Sequence, residues 1–421
     1  MKKTITVLLL AFLVGACTFR LSTVEEPAPQ LAPKLDFSFY NNAQATLETN
    51  DGFLTFTSKV LSNCPGSLGY SSGFLPTGGC PDVSTRRFSL SVGSVIFTNK
   101  KGETSTERIL TEPYFVTFIS NVVQTPDGGF VALGAIIDQA TKKNAPIGKF
   151  NAKGEVEWVK SFDDPNQTVR TITVLKSGDI LLAGTTFNSQ GGTGSGFGNT
   201  TPFLLKLDKN GKTLIQQNYG NVGFMNGEAN VLELDNGQIV LTYSENSNTG
   251  QINSLLFFDA NLKAIKTIGL RASQLRFLAK SGAGFVLLTN DFMNGINTQN
   301  LVYFSADGTE IRKVLVSNTQ LFISKMAATP PSGGITLVAT NSTNQLTIIR
   351  LGQDGTNLRL SQYATRPNNA FGTSTNAQIT PSGRIIGTFV ENANGINALN
   401  FFMIEPDGTE GFRKIIASGK L

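Results

Sequence analysis

The sequence predicts an all-β fold, namely a β-propeller of seven four-stranded antiparallel blades. Two glycine-centred turns alternate along the chain, and each pair of turns recurs after about fifty residues. The short apolar runs that flank these turns lack the 3.6-residue periodicity that a helical solenoid would need. A repeat of this length with four candidate strands is typical of a propeller blade. The composition agrees, because 43 glycines and only 15% charged residues describe a turn-rich globular chain.

The first turn signature is a hairpin, and its clearest copy lies at 121–134. There two apolar runs flank Pro-Asp-Gly-Gly at 126–129, residue types that favour a tight turn with positive φ. The glycine of this hairpin recurs at Gly52, Gly128, Gly178, Gly237, Gly282, Gly333 and Gly383. The second signature is a turn of the type Asp-Lys-Asn-Gly, whose glycine recurs at Gly102, Gly154, Gly211, Gly308, Gly355 and Gly408, with Asn261-Leu262 as a degenerate copy.

Seven units result, although six or eight blades stay open because the first copy carries a long insertion. Each unit supplies four candidate strands, which in the third copy are residues 171–175, 180–183, 203–207 and 212–216. An early segment at 35–40 alternates apolar and polar residues and is also predicted to be a strand. We expect it to close the ring against the last blade, next to residues 409–418.

Variable segments fall between the second and third strands of each unit, for example at 188–201, 244–253 and 290–300. They should collect on one rim, where a propeller usually carries its function. The propeller domain is expected to span 35–421, with the largest insertion near 58–85.

The first 34 residues predict export and lipid attachment. Two lysines precede an apolar run at 5–14, which ends in Val14-Gly15-Ala16-Cys17 and resembles a bacterial lipoprotein signal. The resemblance implies a signal peptide at 1–16, cleavage after Ala16 and a lipid on Cys17. A plain secretory leader and a membrane-spanning helix are the competing interpretations, but the apolar run is short for a span. Residues 17–34 contain several prolines and predict a flexible tether.

Two further cysteines, Cys64 and Cys80, lie within the glycine-rich insertion. We predict that they form a disulfide, because an oxidising compartment permits one. Closing a loop of roughly 15 residues would stabilise the fold by about 3 kcal/mol in the chain-entropy model. Two free buried thiols are the alternative, but this segment has little apolar sequence to bury them.

The chain contains no histidine, which removes several classes of chemistry. A Ser-His-Asp triad, a Cys-His pair, a histidine-based zinc or iron centre and a histidine general base are all excluded. The net charge of +5 is spread without dense basic runs, so nucleic acid is not an expected partner. No cofactor and no metal site are predicted.

Carboxylate-pair glycosidase chemistry stays open, with Asp163, Asp164 and Asp291 as the candidate rim acids. Their competing interpretation is that they are solvated loop residues and turn formers. Gly211-Lys212-Thr213 and the glycine-dense stretch at 191–198 resemble phosphate loops, but they lack the spacing and the strand-turn-helix context. We interpret them as a hairpin turn and a rim loop. The recurring turn aspartates lack calcium-loop spacing and are expected to bond their own turns.

Thr-Pro-Asp-Gly-Gly-Phe at 125–130 and Lys-Leu-Asp-Lys-Asn-Gly at 206–211 are similar to the tandem propeller repeat of many uncharacterised bacterial envelope proteins. The resemblance extends from about residue 44 to the end of the chain. It implies a propeller fold and an extracytoplasmic location but no activity. Only one repeat unit has the tryptophan that follows the second turn, at Trp158. The chain is also similar, more distantly, to the outer-membrane assembly lipoprotein with quinone-type blades. It does not reproduce that protein's blade motif, so that role is not transferred to this chain.

The main functional hypothesis is a lipid-anchored cell-envelope propeller that binds or scaffolds a protein or glycan partner. Thr18 follows Cys17 where enterobacterial inner-membrane lipoproteins usually carry aspartate, which favours the outer membrane. The alternative is a carbohydrate-active enzyme with paired carboxylates on the rim, and a third hypothesis is a structural surface-layer component. The expected contacts are the membrane, through the lipid, and the envelope partner.

Overall fold

The computed structural model describes most of the chain after residue 35. The described residues are 36–63, 91–110, 114–138, 144–161, 167–188, 199–219, 230–247, 250–272, 274–293, 296–317, 321–329, 333–341, 345–356, 359–363, 376–393 and 396–420. They form seven sheets of four β-strands each. Among them, none belongs to a helix of the length and apolarity that a bilayer crossing requires.

Each blade takes four consecutive strands. Blades 1 to 3 contain β1 (Asp36–Glu48), β2 (Gly52–Asn63), β3 (Ser91–Asn99), β4 (Thr104–Ile109), β5 (Tyr114–Gln124), β6 (Phe130–Asp138), β7 (Asn144–Phe150), β8 (Val156–Lys160), β9 (Gln167–Val174), β10 (Ile180–Asn188), β11 (Asn199–Leu207) and β12 (Thr213–Asn218). Blades 4 to 7 contain β13 (Val231–Glu233), β14 (Ile239–Ser247), β15 (Gly250–Phe258), β16 (Ala264–Leu270), β17 (Gln274–Ser281), β18 (Gly284–Met293), β19 (Ile296–Phe304), β20 (Glu310–Ser317), β21 (Phe322–Thr329), β22 (Gly334–Thr340), β23 (Leu346–Leu351), β24 (Arg359–Tyr363), β25 (Asn376–Ile379), β26 (Ile385–Ala393), β27 (Ile396–Ile404) and β28 (Glu410–Lys420).

Within each blade the strands pair antiparallel in sequence order. The first strand of every blade lies beside the first strands of both adjacent blades, and β25 lies beside β1. The seven first strands therefore form the innermost ring, around a central channel. The predicted seven-bladed all-β propeller is confirmed.

The turns follow the glycine signatures. Twelve of the thirteen predicted turn glycines have φ between +55° and +95°, and Gly52 at +157° is the exception. The degenerate copy keeps the same conformation, since Leu262 has φ +60°. The left-handed region is costly for a leucine. Here the Leu262 side chain is buried and its carbonyl accepts a hydrogen bond from the Tyr219 hydroxyl at 2.6 Å, so packing holds the strained turn.

The apolar core is divided among the seams between blades. Seven buried clusters occur among the described residues, and each draws its members from two adjacent blades. At the seam of blades 2 and 3, for example, Val131 and Leu133 pack with Leu182 and Phe203. Both faces of a blade are therefore apolar, as expected for a sheet that is covered on both sides.

The ring closes without a shared strand. The predicted early strand belongs to blade 1, because Asp36 to Tyr40 pair with β2, and β28 pairs only with β27. The turn at Gly52 pairs β1 with β2. The last blade is complete with its own four strands, β25 to β28. β1 lies against the last blade, as predicted, and Phe53 of β2 packs on Phe401 of that blade at 4.9 Å between ring centroids.

Two predicted rim loops consist mostly of paired strands instead. β14 and β15 stay paired up to Ser247 and Gly250, and β18 and β19 up to Met293 and Ile296. The segments at 244–253 and 290–300 therefore belong mostly to strands, because polar residues continue an antiparallel ladder as well as apolar ones do. The predicted insertion also begins later, since β2 runs to Asn63.

Candidate binding face

The topology divides the ring into two ends. Both glycine turns of each blade join strands at one end, which we call the turn face. The second strand of each blade ends, and the third begins, at the opposite end, which we call the loop face. The strands that lead from one blade to the next also end there. The segments outside the described residues that join these strands, 64–90 among them, therefore attach to the loop face.

The recurring aspartates of the turn face bond their own turns, as expected from the sequence, whereas Asp235 binds Lys176 and Lys280 of the two neighbouring blades. Asp208 and Asp259 each accept two backbone N–H bonds through Oδ1. In blades 5 to 7 an aspartate inside the turn accepts from the residue two positions later, as Asp407 does from Thr409 at 2.8 Å. These backbone and hydroxyl hydrogen bonds lower the pKa of Asp407. Among the described residues no group of three potential metal ligands occurs.

The phosphate-loop-like sequence at Gly211 is also a turn. The Gly211 N–H donates to the Asp208 carbonyl at 3.0 Å, and a Cβ on this glycine would lie 3.0 Å from the Trp158 ring of the preceding blade. The hairpin interpretation is confirmed. The glycine-dense stretch at 191–198 lies outside the described residues.

The loop face carries a buried polar group in blade 5. Asp291, near the end of β18, has only 10% of its side chain exposed, and its Oδ2 accepts from Lys313 Nζ at 2.6 Å. The same oxygen accepts from Asn300 Nδ2 at 3.0 Å, and that amide also donates to Thr298 Oγ1. Three strands, β18, β19 and β20, thus supply one charge-assisted network.

Buried amides on the loop face hold the segments that cross between blades. Gln299 donates Nε2 to the Leu321 carbonyl at 2.9 Å, and Asn253 donates to the Ala272 carbonyl. The Oε1 atom of Gln299 and the Oδ1 atom of its cross-strand partner Asn290 are both buried and have no hydrogen-bond partner. Unpaired buried acceptors are uncommon in folded proteins, so this face is not fully satisfied by the chain itself.

Asp291 is the one candidate acid that the structure describes. Its network joins a lysine and an amide, and it includes no second carboxylate among the described residues. The other candidates, Asp163 and Asp164, lie outside the described residues. The same holds for the predicted lipid and cleavage positions Cys17 and Ala16, and for the disulfide candidates Cys64 and Cys80.

Sequence reasoning missed the hairpins that carry this network. Asn294-Gly295 and Asn394-Gly395 are Asn-Gly dipeptides, a strong signal for a two-residue hairpin turn. They lie between strand ends that pair as Met293 with Ile296 and Ala393 with Ile396. With that signal, Asp291 could have been placed at a strand end instead of in a loop.

Comparison with known proteins supports the fold. No family model and no curated protein match the sequence. A lectin from Burkholderia pseudomallei is similar in structure, with a TM-score of 0.54, 10% identity, and coverage of 90% of this chain and 100% of the lectin. An acylaminoacyl peptidase from Pyrococcus horikoshii has a TM-score of 0.50 and 8% identity over 90% of this chain, which spans about half (53%) of the peptidase. A protein of unknown function from Bacteroides caccae has a TM-score of 0.41 and 12% identity, covering 64% of this chain and 90% of that protein. At such identities the likeness shows architecture alone, and the chain is a seven-bladed β-propeller.

Proposed function

We propose that this protein is a lipid-anchored module of the bacterial cell envelope that binds a protein or glycan partner through its loop face. The observation that carries the proposal is the difference between the two ends of the ring. At the turn face the recurring turn aspartates bond their own turns, whereas the loop face holds the Asp291 network and unpaired buried amide oxygens at Asn290 and Gln299. Polar groups that the chain leaves unsatisfied can be satisfied by a ligand.

The anchor and the location rest on the leader. The lipoprotein-like motif ending at Cys17 supports attachment to a membrane, and Thr18 supports the outer membrane. Propellers often serve as binding or scaffolding modules, and one structural neighbour is a lectin, so glycans are reasonable first probes.

Affinity capture from the native envelope tests the binding. The full chain would be compared with a variant in which 64–90 is replaced by a short Asn-Gly turn, which is feasible because Val60 pairs with Ser91 at the base of that segment. The matched control is Lys209→Ala on an exposed position of the turn face. We expect a specific protein or glycan to be enriched by the full chain and by the control. Enrichment of nothing above background by the full chain would contradict the proposal.

The anchor has a separate test. Cys17→Ser should release the protein from the membrane fraction, because the thiol that accepts the lipid is gone. A Cys64→Ser variant is the control and should stay with the membrane. If Cys17→Ser also stays there, the lipid assignment is wrong.

A further inference from the structure

A β-bulge recurs at one level of the innermost ring. In blade 3 the register shifts at Arg170, which lies four positions before Val174, the partner of Ile180. The first strands of five blades shift at the equivalent position, and the bulged residues are Gln44, Ser120, Arg170, Arg276 and Ser324. The equivalent positions of blades 4 and 7 lie outside the described residues. The bulge itself is therefore part of the blade architecture, and only the residue type differs.

Arg170 and Arg276 lie on innermost strands, whose uncovered side is the central channel. An innermost strand is covered by the second strand of its own blade and by the first strands of both neighbours, so solvent reaches the middle of it only from the channel. Arg170 is exposed and Arg276 is half-buried, although neither ends its strand. Ser324 differs, because its hydroxyl donates to the Val338 carbonyl of its own blade at 3.2 Å. A bulge re-aims a side chain in this way.

Two of these residues are arginines, and they flank the first strand of blade 4. β13 lies beside both β9, which carries Arg170, and β17, which carries Arg276. The Arg276 carbonyl accepts a hydrogen bond from Asn230 Nδ2 at 2.7 Å, which ties this bulge to the start of β13. The two guanidinium groups thus belong to one sector of the channel wall.

Neither guanidinium is neutralised by a carboxylate among the described residues. The acids of this ring are engaged nearer the turn face. Asp235 binds Lys176 at 2.9 Å and Lys280 at 2.7 Å, Glu233 accepts the Lys176 backbone N–H, and Glu48 pairs with Arg384. Among the described residues, the loop-face side of the sector therefore has positive charge without a compensating carboxylate, and low-dielectric channel walls focus such a field.

We propose that Arg170 and Arg276 bind an anionic group of the ligand, a carboxylate or a phosphate, that enters the channel from the loop face. Arginine is suited to this task, because its planar fork donates two parallel hydrogen bonds to such an oxyanion. The inference rests on the proposed binding function and adds the chemical class of the ligand. It also gives the non-repeating residues of a repeating bulge a role, since neither arginine forms an ion pair with a described residue that would stabilise the ring.

Calorimetric titration of the full chain with D-glucuronate, inorganic phosphate and neutral glucose tests the proposal. We expect one of the two anions to bind with an affinity that falls as salt is added, and glucose to bind at least tenfold more weakly. Arg170→Gln and Arg276→Gln should each weaken anion binding about tenfold or more, because each removes a charge-assisted pair. Preference for glucuronate identifies an acidic glycan, and preference for phosphate identifies a phosphorylated ligand.

Arg359→Gln is the matched control, because Arg359 is an exposed arginine on the outer strand β24. It should bind the anion as the wild type does. Thermal unfolding of each variant verifies folding, and Arg170→Lys should restore part of the affinity if charge is what matters. Failure of the wild type to bind either anion, or unchanged binding by the Arg170→Gln/Arg276→Gln double variant, would overturn the proposal.

The two proposals fail in different ways. If the wild type binds neither anion and the double variant still captures the envelope partner, the proposed loop-face function is supported and the proposed channel site is wrong. If anion binding depends on Arg170 and Arg276 but the full chain captures no partner, the channel site is supported and the proposed loop-face function is wrong.

Discussion

At the turn face Asp208 accepts two hydrogen bonds from the backbone of its own turn, whereas at the loop face Asp291 is bound by side chains of two other strands. The first arrangement recurs from blade to blade with only small changes. The second occurs in blade 5, and its lysine is 44% exposed. The same residue type thus has a repeated, local role at Asp208 and its equivalents and an individual role between strands at Asp291.

The difference separates architecture from recognition. A turn that satisfies its own polar groups offers little to a ligand, and its residues recur because each blade needs the same hairpin. Polar groups at strand ends that depend on other strands, or have no partner as with Gln299 Oε1, are free of that requirement. Substitutions at the turn face should therefore reduce stability and spare binding, and substitutions at the loop face should do the reverse.

The largest effect is expected at Gly308 on the turn face. A Cβ there would lie 2.5 Å from Ile268 and 2.6 Å from Phe257, and the residue has φ +79°. Gly308→Ala combines backbone strain with overpacking, so we expect a loss of about 3 kcal/mol or more in the free energy of unfolding, measured by denaturant titration. Gly237→Ala is the control, because φ is again +79° but nothing lies within 4 Å, and it should lose about 1 kcal/mol. Equal losses would show that packing against blade 4 is unimportant.

The seam that closes the ring gives the next largest effect. Arg384 binds Glu48 of blade 1 at 2.9 Å and Glu405 of its own blade at 3.0 Å, and all three side chains are partly buried. Arg384→Met should cost about 1–2 kcal/mol, because it leaves two carboxylates without their shared partner. Arg108→Met, which breaks an ion pair with both side chains 46% exposed, should cost less than about 1 kcal/mol in the same titration. A smaller loss for Arg384→Met than for Arg108→Met would mean that the ring is closed by apolar packing alone.

Much of the fold was predictable because its turns depend on glycine. A left-handed backbone conformation restricts the residue type, so the turn positions were visible in the sequence. The bulges at Arg170 and Arg276 were not, since a register shift depends on the partner strand and not on the bulged residue. The Asp291 network could not be predicted from the sequence for a related reason. It unites residues of three strands, and only the pairing of β18, β19 and β20 brings them together.

The tryptophan after the second turn shows another limit of prediction from the sequence. Trp158 donates its indole N–H to the Lys209 carbonyl in the next blade at 3.1 Å. At the equivalent position of blade 5, Arg312 donates to the Gln353 carbonyl at 2.9 Å, and in blade 4 Lys266 donates to the Asp307 carbonyl. The contact recurs with different chemistry, so a search for the same residue type does not find it.

A smaller effect on stability is expected at Asp291, with a larger one on binding. Asp291→Asn removes the charge but keeps an oxygen that Lys313 and Asn300 can still reach, and Lys313 can be hydrated. We expect a loss of about 1 kcal/mol or less in the free energy of unfolding. Partner capture should fall, whereas Asp208→Asn on the turn face should leave capture unchanged. A reversed result, with capture lost only in Asp208→Asn, would place recognition on the turn face.

The smallest effect is an acid sensitivity of the turn face at Asp127. Burial raises the pKa of this carboxyl, but hydrogen bonds from Thr125, Lys149 and the Gly129 N–H outweigh it and lower the pKa from 3.8 to about 2. A folded-state pKa below the unfolded one means that the stabilisation is present above pH 4 and is lost as the pH falls towards 2. The side chain is 57% exposed, so solvent screening keeps the contribution to about 1 kcal/mol or less. Asp127→Asn should therefore show a shallower fall in melting temperature between pH 4 and pH 2 than the wild type does. Parallel curves for the two proteins would mean that the hydrogen bonds of this turn add no stability, and the turn face would then owe its uniformity to backbone geometry alone.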